Sequence, residues 1–111
     1  LVNRARANPG AEAQRLGIGL NDGLSPGTIA ATAKQPLAFN PQLIDAARDH
    51  SEWMLATDTF SHTGAGGSSP GDRMTAAGYS FTGSWTWGEN ISIRWGSGTA
   101  LNAAQVEAFH D

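Results

Sequence analysis

The chain has 111 residues, of which 40% are hydrophobic and 15% charged, with a formal net charge of −3. That length carries one domain around one core, and so apolar and weakly charged a composition excludes intrinsic disorder. A single lysine, scattered arginines, no cysteine and no apolar run of the ~20 residues that span a bilayer argue against nucleic-acid binding, a cationic membrane-surface mode, disulfides, thiolate metal sites and transmembrane helices.

Leu1 to Ala7 has helix-forming content and stops at the turn signal Asn8-Pro9-Gly10. A second helical piece is expected over Ala11 to Leu16. Residues 17–27 are rich in glycine and read as a surface loop. Asp22 and Gly23 fall in it, but the carboxylates are too few for a calcium loop. Asn40-Pro41 opens the strongest helix, with Asn as N-cap and Pro in the first turn, and it ends near Thr57-Asp58. Leu43, Ala47, His50 and Met54 form one apolar row; Ile44, Ala47, Ser51 and Leu55 form the next. His50 lies on or beside the buried row, where a hydrogen-bonded core histidine is favoured over a ligand.

Residues 59–71 follow as a loop of small residues, with Phe60 as anchor and His62 two positions on. Small neighbours leave the His62 ring reachable from solvent. Ser69 caps a short helix expected over Gly71 to Ala77, closed by Gly78. Arg73 on this helix is within reach of a carboxylate, against the default of a solvated face. Tyr79 to Trp85 reads as extended chain or loop.

Residues 87–95, Trp-Gly-Glu-Asn-Ile-Ser-Ile-Arg-Trp, alternate with period two, the pattern of a strand with one buried face. Four of the five odd positions are large and apolar; the fifth is Glu89. A carboxylate on an apolar face is costly unless it is paired, hydrogen-bonded or neutralised. Either the strand begins one residue later, or a partner waits for Glu89. Gly96-Ser97-Gly98 breaks the strand, and Thr99 caps a last helix with Leu101, Ala104, Ala108 and Phe109 inward. The chain starts at Leu1 and stops inside that helix at Asp111, so it reads as an excerpt cut at both ends.

In order along the chain stand Asn3-Arg4-Ala5-Arg6, Pro36 to Leu43, Ala46 to Ser51, Phe60-Ser61-His62, Asp72-Arg73, Ala77-Gly78-Tyr79 and Gly88-Glu89-Asn90-Ile91. Each motif is weak alone, but their succession resembles the CAP superfamily of cysteine-rich secretory, antigen 5 and pathogenesis-related proteins, also called the SCP domain. Without cysteines the chain looks most like the bacterial branch. The resemblance implies an α+β fold, a three-layer α-β-α sandwich around a small antiparallel sheet, here one partial domain over residues 1–111. The sheet would be incomplete at the C-terminus, leaving mostly helix visible. A piece lacking its later strands is expected to be poorly stable.

The resemblance also implies a cleft of two histidines and two acidic residues. His62 matches the first cleft histidine, a metal ligand in the family, and Glu89 matches the first cleft acid. Ser61, Trp87 and Asn90 are candidates for lining the cleft; for Trp85 and Trp87 the alternative is core packing. The second histidine falls beyond Asp111, and neither Glu107 nor His110 matches a cleft position. Zinc or another divalent cation is the implied cofactor. The function implied is a secreted, extracellular module that binds a lipid, sterol or protein ligand. The alternative is a metal-dependent hydrolase of peptidase or esterase type. Oligomeric state is not legible.

Overall fold

The structure is a computed structural model and describes residues 1–93. The expected end of the strand at Arg94-Trp95, the Thr99-capped helix, Glu107, His110 and Asp111 lie outside the described residues. Of the described residues 44% are helical, and none is in a strand. The elements are α1 (Val2–Ala7), α2 (Pro9–Leu16), α3 (Pro41–Thr57), a single 3₁₀ turn (Ala65–Gly67) and α4 (Pro70–Ala76). They fall into two compact units, one containing residues 1–38 and the other residues 39–93.

In the first unit the break between α1 and α2 is made by Asn8. Its side chain accepts from the Ala11 backbone N–H at 3.0 Å, and Pro9 fills the first position of α2, where its missing N–H costs nothing. The helix therefore starts two residues earlier than the sequence suggests. Gly17, at φ 70°, ends it in the left-handed conformation. Glu12 is buried and takes Arg4 on both oxygens at 3.0 Å and Arg15 at 2.9 Å. Residues 34–37 run along α1. Asn3 exchanges two hydrogen bonds with the Leu37 backbone, at 2.9 and 2.7 Å, and Arg6 holds Gln35 O at 2.8 Å. That pairing gives the Asn3 and Arg6 positions of the motif a physical reason.

The second unit is built on α3 and α4. Asn40 caps α3 through Leu43 N–H at 3.1 Å, as the sequence predicts. The stripe turned inward is Leu43, Ala46, His50, Trp53 and Met54, at spacings of three and four. The adjoining row is a correction: Ile44, Ala47, Ser51 and Leu55 are exposed, Leu55 at 81%. A seven-residue helix such as α4 covers only one stripe of α3, and among the described residues no further element packs on the second row. Ser69 and Asp72 form a reciprocal capping box at the start of α4.

The expected strand is also corrected. Residues 87–93 are irregular chain rather than strand. A strand is defined by its ladder, and no second segment pairs with this one among the described residues. A remnant of the alternation persists, since Glu89 and Ile91 are partly covered while Gly88, Asn90 and Ser92 are exposed. The sheet of the expected sandwich is thus not seen in residues 1–93.

Candidate functional site

Glu89 finds its partners in the second unit. Its Oε1 lies 2.8 Å from His62 Nδ1, and its Oε2 lies 2.6 Å from Arg73 Nη2. An ionised carboxylate only accepts, so Nδ1 carries the hydrogen and donates. The carboxylate is 15% exposed and the guanidinium 12%, whereas the His62 ring is 58% exposed. The array therefore runs from a covered cation, through a covered anion, to an imidazole at the surface. Burial raises the Glu89 pKa, but hydrogen bonds from His62 and Arg73, with the charges of Arg73 and His50, outweigh it and hold the carboxyl below its ordinary value.

The turn that carries His62 is fixed from behind. Arg73 Nη1 donates to His62 O at 3.1 Å and to Ser68 O at 2.9 Å. His50, 3% exposed, lies 2.8 Å from Ser61 O through Nε2; the carbonyl can only accept, so Nε2 bears the hydrogen. The same ring stacks on Trp53 at 5.7 Å. His50 is thus the hydrogen-bonded core histidine that the helix pattern favours. Its Nδ1 is buried with no partner among the described residues, beside a cavity of about 230 Å³ lined by Ser68 and Arg73 among others. Gly64 is required here by close approach: a Cβ would sit 2.9 Å from Ser68 Oγ, 3.0 Å from Arg73 Nη1 and 3.1 Å from His50 Nδ1.

The other candidate residues are placed as follows. Ser61 Oγ accepts from Thr63 N–H at 3.0 Å, shaping the turn. Glu89 and Asn90 line a hollow of about 240 Å³ between α3, α4 and residues 88–90. Trp87 is 42% exposed and lays its indole nitrogen over Gly71, where a Cβ would be 3.0 Å away. Trp85 is exposed and packs on Phe81 at 4.5 Å between ring centres. Core packing is therefore not the environment of either tryptophan among the described residues.

Arg73 is the member of this array that a default solvated face undervalues. The signal was present: its i±3 and i±4 neighbours on α4 are Ser69, Pro70, Ala76 and Ala77, none of them acidic.

Among the described residues no three His, Cys, Asp or Glu side chains cluster to hold a metal ion. What the array offers is one open imidazole nitrogen, His62 Nε2. No curated protein and no solved structure gives a significant match to the chain. The family model for CAP, the cysteine-rich secretory protein family, matches residues 1–108. A match over nearly the whole length, together with the motif succession, places the chain in the CAP family.

Proposed function

We propose that this CAP domain is an extracellular binding module for a lipid or protein ligand, with His62 as the polar group its cleft presents. The observation that carries the reading is the orientation of one ring. Glu89 occupies His62 Nδ1 at 2.8 Å, and the ring is mostly exposed, which leaves Nε2 as an acceptor or ligand facing outward. A divalent cation such as zinc suits that nitrogen. His62 would supply one donor, and the others would come from outside residues 1–93. The lipid side of the reading is supported by a second hollow, of about 540 Å³, in the first unit. Ala5, Ala13, Leu16, Ile18, Leu20 and Ile29 line it, with Arg6 and Lys34 among its walls.

A hydrolase is the second reading, favoured by the same Glu89–His62 pair, since a carboxylate that orients an imidazole is half of a general-base device. No described serine or threonine hydroxyl is hydrogen-bonded to the His62 ring, so the nucleophile half is not supplied by residues 1–93.

The test is a calorimetric titration with zinc, run on the parent, His62→Ala and Glu89→Gln, with the same proteins screened against peptide and ester panels. The expected result is zinc binding weakened at least about tenfold by His62→Ala and by a factor on the order of ten by Glu89→Gln, without turnover. Equal affinity in parent and His62→Ala would remove His62 from the site. Turnover in the parent that His62→Ala abolishes would install the hydrolase instead.

A further inference from the structure

We infer that Arg73 is the positioning residue of the Glu89–His62 pair: it pins Glu89 so that His62 is held as the Nδ1–H tautomer, and it withdraws Glu89 from direct contact with a cation. This deepens the function proposed above and depends on it only for what His62 Nε2 then meets.

Three contacts from one guanidinium carry the argument. Nη2 reaches Glu89 Oε2 at 2.6 Å, and Nη1 reaches both His62 O at 3.1 Å and Ser68 O at 2.9 Å. Arg73 therefore sets the backbone of the His62 turn and the carboxylate that meets the His62 ring. A rotation of either would break the Nδ1–Oε1 bond. The planar fork makes this possible, whereas a lysine ammonium is a compact charge that does not span oxygens on two segments in a fixed geometry.

The same geometry decides what Glu89 does. Each of its oxygens has a donor, and the carboxylate is largely covered. A divalent cation at Glu89 would have to displace one donor and sit beside the positive charge of Arg73. Glu89 is accordingly an outer-shell group, which orients the histidine rather than ligating alongside it. In this array the nitrogen left facing outward is His62 Nε2.

His50 supplies an internal control. Its Nε2 faces the Ser61 carbonyl at 2.8 Å, so it is the opposite tautomer, and it is buried. Long-range ¹H–¹⁵N correlation spectra of the whole chain at mildly alkaline pH read both rings at once. The parent is expected to show His62 as Nδ1–H and His50 as Nε2–H. In Arg73→Gln and Arg73→Lys the His62 signature shifts to predominantly Nε2–H, while that of His50 persists in a folded protein. A parent His62 already in the Nε2–H form overturns the inference. So does an unchanged Nδ1–H in either variant with the His50 signal intact. Should both variants lose the His50 signal, zinc affinity of the parent against Glu89→Asp decides. An outer-shell carboxylate pinned by Arg73 loses severalfold when shortened, and an unchanged affinity counts against the inference. Failure of the parent to bind zinc would sink the proposed function and leave the tautomer result standing.

Discussion

Glu89 stands on the apolar side of an alternating stretch, and its neighbourhood shows how that is tolerated. Arg73 and His62 each donate to one of its oxygens, so the ionised form is stabilised despite partial burial. The consequence for pH has a definite sign. The folded carboxyl titrates below the ordinary value of 4.5, so its contribution to stability is complete above that value and is lost as pH falls through the folded one. Urea midpoints measured from neutral to strongly acid pH are expected to fall below about pH 4.5, and more steeply in the parent than in Glu89→Gln. Equal slopes in the two proteins would mean that the carboxylate is not held as described. The need for a partner was legible in the residue itself, because a charge on an apolar register demands one. The identity of the second partner was not: Arg73 is sixteen positions away, on a helix whose one acid, Asp72, is taken up by the Ser69 cap.

The helices owe their boundaries to a few polar side chains. Asn8, Asn40 and Ser69 each precede a proline and each accept from the backbone N–H of the third helical residue. Cap and proline together are a local signal, and for that reason the starts of α3 and α4 could be read from sequence within a residue. At Ser69 the cap is reciprocal, with Asp72 accepting from both Ser69 N–H and Ser69 Oγ at 2.9 and 2.7 Å. Those bonds, with the charge of Arg73, keep the Asp72 carboxyl below its ordinary value. Ser69→Ala is expected to cost about 1 kcal/mol, read as a lower midpoint in urea. No change would place the start of α4 elsewhere. The strand over residues 87–93 misled because alternation reports which side chains share a face, whereas strand formation needs a neighbouring segment for its ladder.

At the level of the molecule the two units differ in what they carry. The second gathers the Arg73–Glu89–His62 array from α4, the turn that carries His62 and the irregular segment 87–93. The first carries an open hollow, lined mostly by apolar side chains, beside α2 and the loop that follows it. Little of either is deeply buried: among the described residues Ala13 and Ala46 are the buried hydrophobic side chains. Membership of the CAP family was legible because its short motifs lie along the whole chain. The hollow was not, because it depends on how residues 17–34 fold back on α1 and α2, which no local pattern specifies. If the hollow takes acyl chains, the protein should enhance the fluorescence of a bound polyene fatty acid. Leu20→Asp should weaken that binding at least about tenfold, since a charge in an apolar pocket loses its hydration. Binding unaffected by Leu20→Asp would put the lipid elsewhere.

The central claim is that Arg73, Glu89 and His62 act as one connected group. A double-mutant cycle of Arg73→Gln and Glu89→Gln, followed by urea unfolding, tests it most directly. The account predicts a coupling on the order of 1–3 kcal/mol, as for residues in one hydrogen-bonded network. Additive effects, within about 0.3–0.5 kcal/mol, would contradict it.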